Sequence, residues 1–179
     1  IRGVLRHRAF YHLCKIKQVY AENVTKEKLQ EVEQSIATLL GSEAKDTGKG
    51  TSSGNISKIF FRDIILGPPP ARDAICESEK DGVVSKIFNH VKIDRFTGGA
   101  IDGALFSERV LYGGTLPLTM EYHPSGNEAD PDAKKAFLEA LKDLANGLLP
   151  LGAASAKGHG FFTADFNEQE AKKWLSLEN

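Results

Sequence analysis

The first twenty residues hold the densest set of groups that could bind a polyanion. They contain five basic side chains and no acidic one, although the 179-residue chain has a net charge of -1. This asymmetry is typical of a surface that faces phosphate groups, and a solvated basic helix is the alternative. A helix would place Arg2 and Arg6, four residues apart, on one face, where both guanidinium groups could reach one partner. The five basic residues are Arg2, Arg6, Arg8, Lys15 and Lys17.

A glycine-rich segment, LGAASAKGHG at residues 151–160, is a second candidate for phosphate binding. Small residues let a backbone approach a partner closely, and exposed amide groups can donate hydrogen bonds to phosphate oxygens. The lysine adds a positive charge, and the histidine adds a ring that can stack. A plain helix-to-strand connection explains the same glycines equally well. The candidate RNA-binding residues here are Gly152, Lys157, Gly158, His159 and Gly160.

The sequence DRFTG at residues 94–98 follows a predicted strand and is the third candidate. Arg95 and Phe96 could contact a nucleic acid by charge and by stacking, respectively. In the alternative interpretation, the segment is a hairpin turn in which Asp94 and Arg95 serve local structure.

Several other chemistries lack support in the sequence. The glycines at 41–51 have the wrong spacing for a phosphate loop, and the chain has no G-x-S-x-G or H-E-x-x-H motif. His7 and His12 would lie about 140° apart around a helix, which is too far to share a metal ion. His7, His12 and His159 lie beside basic or glycine-rich segments, so they are the histidines considered as the base of a metal-free ribonuclease. Ordinary surface roles are favoured for all three. We predict no metal site and no cofactor, and no catalytic residue is assigned.

Composition narrows the class of protein. A hydrophobic share of 41% and a charged share of 26% are ordinary for one globular domain. No apolar run reaches the length of about 18 residues that a membrane-spanning helix needs. Cys14 and Cys76 are too far apart in sequence for a zinc ribbon and too few for a disulfide scaffold. We expect a cytoplasmic protein without a membrane partner.

Hydrophobic periodicity and capping residues predict four helices and several strands, an α+β fold with an antiparallel sheet. Thr25, Asp130 and Asn167 are the predicted helix caps. Residues 41–57 are predicted to form a polar loop. The predicted helices cover residues 1–16 and 24–40, the segment from 131 to about 146, and the segment after 167; the predicted strands cover 58–65, 86–93, 105–111, 115–122 and 160–166.

Taken together, these segments resemble the RAMP superfamily, and specifically the backbone subunits of type III CRISPR effector complexes. The likeness follows the order of the family's motifs. It is carried by IRGVLR at 1–6, LLGS at 39–42 with ISKIFFRD at 56–63, VKIDRFTGGA at 91–100 with GALFSERV at 103–110, and LPLG at 149–152 through KGHG at 157–160.

The resemblance implies one domain over residues 1–179, with a ferredoxin-like (RRM-like) core and a thumb-like hairpin inserted at about 64–89. It implies that Arg2 and Arg6 hold guide-RNA phosphates, that the 152–160 loop lines the same groove, and that the thumb lies between guide and target RNA. The first strand of the core, and the loop that carries a catalytic aspartate in target-cleaving members, would precede Ile1. We therefore expect a preceding segment or a neighbouring chain to complete the sheet.

The implied function is that of a guide-RNA-binding subunit in an antiviral complex, with guide RNA, target RNA and other RAMP subunits as partners. The resemblance leaves open whether the protein cleaves target RNA, which would bring in a divalent metal ion. Two other functions stay open: a guide-RNA processing endonuclease that uses His7 or His12 as a base, and a non-catalytic protein–protein scaffold.

Overall fold

Four α-helices and three pairs of strands make up the described part of the chain. The computed structural model describes residues 1–46, 52–64, 83–124, 126 and 128–177. The chain divides into a core unit, Ile1–Phe61 with Met120–Asn179, and an inserted unit, Arg62–Thr119. In chain order the elements are α1 (Arg2–Ile16), α2 (Lys26–Leu40), β1 (Lys45–Asp46), β2 (Ser52–Ser53), β3 (Ile59–Phe61), β4 (Val83–Ile93), β5 (Ala100–Gly113), β6 (Met120–Tyr122), α3 (Pro131–Ala145), a 3-10 turn (Ser155–Lys157) and α4 (Glu168–Trp174).

Packing of α1 against α3 forms the centre of the core unit. The predicted apolar stripe of α1 is buried at Leu5, Ala9 and Leu13, whereas its ends, Ile1 and Ile16, remain more than one third exposed. The facing side of α3 combines small alanines with large side chains, so the two helices can approach closely. The buried residues of α3 include Ala133, Ala136, Phe137, Ala140, Leu141 and Leu144.

The helix boundaries follow from the predicted caps. The Thr25 side chain accepts a hydrogen bond from the Lys28 amide at the start of α2. Asp130 does the same for α3, with Pro131 as its first residue. Asn167 accepts hydrogen bonds from two amides at the start of α4. Each cap satisfies backbone donors that have no partner inside the helix, so the three predictions are confirmed.

A short antiparallel pair, β3 with β6, is the sheet of the core unit. The strand predicted over 58–65 is shorter in the structure, which places only Ile59–Phe61 in β3. Likewise, the strand predicted over 115–122 is reduced to Met120–Tyr122. Pro117 lacks an amide donor and therefore limits how far the ladder can extend.

The strand predicted over residues 160–166 is wrong. The structure has only an isolated bridge there, between Asn146 and Thr163, and the Ala164 amide donates to the Ala145 carbonyl at 3.0 Å. The segment therefore pairs with the turn that follows α3, and no strand lies beside it within the described ranges. The loop predicted over 41–57 does contain β1 and β2, a two-residue antiparallel pair.

The inserted unit is built on a long antiparallel hairpin of β4 and β5. Its ladder runs without interruption from Val83 opposite Gly113 to Val91 opposite Leu105. The next pair joins Ile93 to Ala100, so residues 101–104 form a bulge opposite a single residue of β4. Both predicted strands of this hairpin are present and are longer than expected.

The chain is therefore α+β with small antiparallel sheets, as predicted, and is consistent with a ferredoxin-like core. Of the segment predicted as a thumb, 64–89, residues 65–82 lie outside the described residues. The inserted unit extends beyond that segment on both sides.

Candidate nucleic-acid interface

Arg2 and Arg6 meet the chain at the C-terminal end of α2. Arg2 Nη2 donates to the Leu40 carbonyl, and Arg6 Nη1 donates to the Gly41 carbonyl at 2.5 Å. The last carbonyl groups of a helix lack partners within it and carry the negative end of its dipole, so guanidinium groups stabilise them. Sequence reasoning placed these arginines on one face of α1 but did not predict the carbonyl groups that they contact.

Both arginines keep donors for a further partner. A guanidinium group has five N–H donors, and each of these two uses one Nη in the contact with α2. Arg2 is exposed and Arg6 is half-buried. The pair can therefore hold a helix end and an external phosphate at the same time.

The other basic residues of α1 are Arg8, which contacts α3, and Lys15. Arg8 Nε and His12 Nε2 both lie against Asp143 Oδ2 of α3, at 2.5 and 2.7 Å. Burial disfavours ionisation of Asp143, but the hydrogen bonds from His12 and Arg8 outweigh it and lower its pKa. Arg8 therefore joins α1 to α3 and is committed to the protein. Lys15 is exposed.

Lys17, at the end of α1, is also committed to the protein. Its Nζ lies 2.9 Å from Glu31 Oε1 and 3.5 Å from Asp130 Oδ2. Burial opposes its charged form, but the hydrogen bond to Glu31 and the charge of Asp130 prevail, so the pKa of Lys17 is raised. Of the five basic side chains, Arg2, Arg6 and the exposed Lys15 are therefore the ones that can reach a ligand.

The glycine-rich loop at 151–160 is closed on itself. The Leu151 amide donates to the Gly160 carbonyl at 2.8 Å, and the turn Ser155–Lys157 lies between them. Gly160 has φ +80°, and a Cβ there would overlap the Leu151 carbonyl oxygen, so this glycine is required by the closure. Gly152 and Gly158 also have positive φ but face open space.

The two polar candidates of this loop lie at its surface. Lys157 is exposed and His159 is half-buried, and both take part in interactions within the protein. A partner can therefore approach the loop closely at Gly152 and Gly158, although the Gly158 amide already donates to the Ser155 carbonyl at 2.9 Å, whereas Gly160 serves structure. The alternative, a plain connection from a helix to a strand, is wrong in its second half, because residues 161–177 contain no strand.

The third candidate, Arg95 with Phe96, lies at the tip of the hairpin in the inserted unit. Asp94 organises this turn: its carboxylate accepts the Phe96 amide at 3.0 Å and the Thr97 hydroxyl at 2.8 Å. The hydrogen bond from the Phe96 amide, and to a lesser extent the one from the Thr97 hydroxyl, lower the pKa of Asp94. Phe96 is 99% exposed, and Arg95 is exposed beside it. Asp94 is thus structural, as one interpretation held, while its two neighbours point to solvent.

Sequence reasoning missed an aromatic face on the same hairpin. The His90 and Phe106 rings are stacked with centroids 5.0 Å apart, and Lys86 Nζ lies 5.6 Å from the Phe88 ring centroid. Glu108 Oε2 lies 3.1 Å from His90 Nε2. The signal was present in the sequence, since Phe88 and His90 alternate with the aliphatic residues that defined the predicted strand.

A model of the RAMP superfamily matches residues 1–163, a range that includes the whole inserted unit, most of the core unit and all the candidate residues. The chain belongs to the RAMP superfamily. RAMP proteins are CRISPR-associated RNA-binding modules that work in multi-subunit complexes. A comparison with curated proteins finds no significant match.

The described residues of this RAMP protein contain no group of three or more His, Cys, Asp or Glu side chains that could hold a metal ion. The same residues include no helix long and apolar enough to cross a membrane.

The candidate residues of this RAMP protein form separate groups. Arg2 and Arg6 come together at the end of α2, and the 151–160 loop is a closed element after α3. Arg95 and Phe96 belong to the other unit. Carbonyl groups 35 to 38 residues away in the sequence hold Arg6 and Arg2, whereas the loop and the hairpin tip are held by hydrogen bonds within their own segments.

Proposed function

We propose that this RAMP protein is a guide-RNA-binding backbone subunit of a type III CRISPR antiviral complex. The anchored pair Arg2 and Arg6 is the observation that supports it best. Two guanidinium groups on consecutive carbonyls present their remaining donors together, which suits the phosphates of a single strand. Recognition of the backbone leaves the sequence of the guide to base pairing with its target.

The remaining candidate residues have distinct roles in this proposal. The open glycines Gly152 and Gly158, with Lys157 and His159, contact the guide backbone, and Gly160 keeps their loop closed. In the inserted unit, Arg95 binds a phosphate and Phe96 stacks on a base at the boundary between guide and target RNA. The inserted unit, Arg62–Thr119, then acts as the thumb. Other RAMP subunits of the complex are the protein partners, and the complex is cytoplasmic.

Binding of single-stranded RNA across a salt series tests this proposal. The full-length protein should bind RNA of mixed sequence tightly, with an affinity that falls steeply as salt rises. Arg2→Ala/Arg6→Ala should weaken binding and reduce the slope of log Kd against log salt by about 1.4, the value for two contacts to a single strand. Lys26→Ala/Lys173→Ala removes the same charge from two exposed side chains on α2 and α4, and should leave the slope nearly unchanged.

Each contrary outcome has a definite meaning. A folded protein that binds no RNA at low salt would exclude the guide-binding role. Assembly that needs no RNA and is insensitive to salt would support a protein–protein scaffold instead. Equal slopes for the two double variants would show that net charge, and not this arginine pair, drives binding.

A processing endonuclease is the second candidate, and the pair of His12 with Asp143 favours it. A carboxylate that fixes a histidine ring is a common arrangement for a general base. However, the His12 side chain is only 13% exposed, and Arg8 shares the same carboxylate oxygen. Cleavage of repeat RNA that His12→Ala or His7→Ala abolishes would establish the nuclease. For target cleavage, with its divalent metal ion, no residue of this chain is assigned.

A further inference from the structure

Gly41, the residue after α2, lies at the point where three segments of the core unit converge. Its amide donates to the Ala37 carbonyl, and its carbonyl accepts the Arg6 guanidinium. The preceding carbonyl, of Leu40, accepts Arg2. The two arginines are thus held by consecutive carbonyl groups, and Gly41 sets the direction of the second one.

The backbone at Gly41 leaves no room for a side chain. Its φ is +78°, which residues other than glycine rarely adopt. A Cβ would lie 2.8 Å from both the Asn55 carbonyl oxygen and the Ser57 amide nitrogen, and 3.2 Å from Arg2 Nη2. Any larger residue must therefore displace the backbone of the returning chain, residues 55–58, and would also press on the Arg2 side chain.

The returning chain is tied to the same place. The Ser42 amide donates to the Asn55 carbonyl at 2.9 Å, and the Asn55 amide donates back to the Ser42 hydroxyl at 2.9 Å. The Lys58 amide donates to the Leu39 carbonyl at 2.9 Å. Because these bonds tie residues 55–58 to the end of α2, a side chain at position 41 would push the two segments apart and shift the Leu40 and Gly41 carbonyls that hold Arg2 and Arg6.

We propose that Gly41 is a positioning residue for RNA binding, and that it acts by letting the Leu40 and Gly41 carbonyls hold Arg2 and Arg6 ready for phosphate. This inference rests on the proposed function. Anchoring fixes the long arginine side chains when the protein folds, so little of their freedom remains to be lost when RNA binds. Gly41 itself makes no contact with the RNA.

A double-mutant cycle on the full-length protein separates positioning from a structural role. Its probe is a fluorescein-labelled single-stranded RNA of mixed sequence. Gly41→Ala should weaken binding about fivefold in the wild-type background, and less than about twofold when Arg2→Ala/Arg6→Ala is also present. Gly126→Ala is the matched control, because Gly126 also has positive φ, +75°, but faces open space. It should leave RNA affinity unchanged.

Two outcomes distinguish the failure of this inference from that of the proposed function. Equal losses from Gly41→Ala in both backgrounds, or no loss in either, would overturn positioning by Gly41 alone. Absence of RNA binding by the wild-type protein would overturn the proposed function and the inference together.

A second variant keeps the test valid if Gly41→Ala fails to fold. Arg2→Lys/Arg6→Lys preserves both charges, but an ammonium group lacks the planar fork that serves a carbonyl and a phosphate together. We expect RNA affinity to fall about fivefold while the salt slope stays close to that of the wild type. Unchanged affinity would show that the carbonyl anchors do not matter and would overturn the inference.

Discussion

The core unit and the inserted unit use their apolar side chains in opposite ways. Leu5, Phe137 and Leu175 of the core have no exposed surface, whereas Leu105 and Phe106 of the hairpin expose 73% and 54% of theirs. A two-stranded hairpin is at best marginally stable alone in water, and exposed apolar patches mark contact surfaces. The core unit thus gains stability from buried apolar side chains and fixes Arg2 and Arg6 internally, while the hairpin leaves its apolar side chains exposed.

The largest expected effect is a loss of stability in the core unit. Phe137→Ala should lower the free energy of unfolding by about 3–5 kcal/mol, because it removes a fully buried ring and leaves a cavity. Leu105→Ala, in the hairpin, should change it by less than about 0.5 kcal/mol. Urea denaturation of both variants measures the difference. Similar losses would mean that the hairpin contributes to the stability of the core as much as a core residue does.

An intermediate effect concerns Asp143, which joins α3 to two side chains of α1. Asp143→Asn should cost about 1–2 kcal/mol near neutral pH, since Arg8 and His12 lose a shared, half-buried carboxylate. The pKa of Asp143 is lowered in the folded protein, so this stabilisation is present above its ordinary value of 3.8 and is lost as the pH falls through the folded value.

Unfolding measured as a function of pH checks this sign. The difference between wild type and Asp143→Asn should shrink as the pH falls below about 4. Asp165→Asn, which changes an exposed carboxylate, serves as the control. A difference that grows as the pH falls below about 4 would contradict the ion-pair account of this cluster.

The smallest effect sharpens the description of the hairpin tip. Asp94→Ala removes the carboxylate that holds the Phe96 amide and the Thr97 hydroxyl, so the turn should loosen without a change in the urea midpoint. Amide hydrogen exchange should become faster at Phe96 and Gly98, while Asp102→Ala, in the bulge, should leave both unchanged. RNA affinity should fall by about twofold, because the tip would be less well ordered before binding. Unaltered exchange would show that the turn does not depend on Asp94.

Features that depend on local chemistry could be predicted from the sequence. Thr25, Asp130 and Asn167 each act on amides two or three residues away, so their residue types suffice to locate the helix starts. Asp94 is equally local.

Features that depend on distant residues could not be predicted. Arg2 and its acceptor, Leu40, are 38 residues apart, and no spacing rule relates them. The strand expected at 160–166 failed for the same reason, because a strand forms only where another strand pairs with it. The positive charge that α1 and the residue after it offer to a ligand was overestimated. Asp143 and Asp130, more than a hundred residues away in the sequence, neutralise Arg8 and Lys17.

The bulge at residues 101–104 has a consequence for how this protein can vary. Between the pair of Val91 with Leu105 and the pair of Ile93 with Ala100, β5 has four residues and β4 has one. Side chains alternate between the two faces of a strand, so this excess of three residues, an odd number, reverses the face on which the β5 side chains beyond the bulge lie. Insertions or deletions in these four residues would turn the tip relative to the strands below it and leave the long ladder untouched. Evolution, or a designer, can therefore redirect Phe96 by changing loop length alone, without replacing any residue that contacts RNA in the proposal.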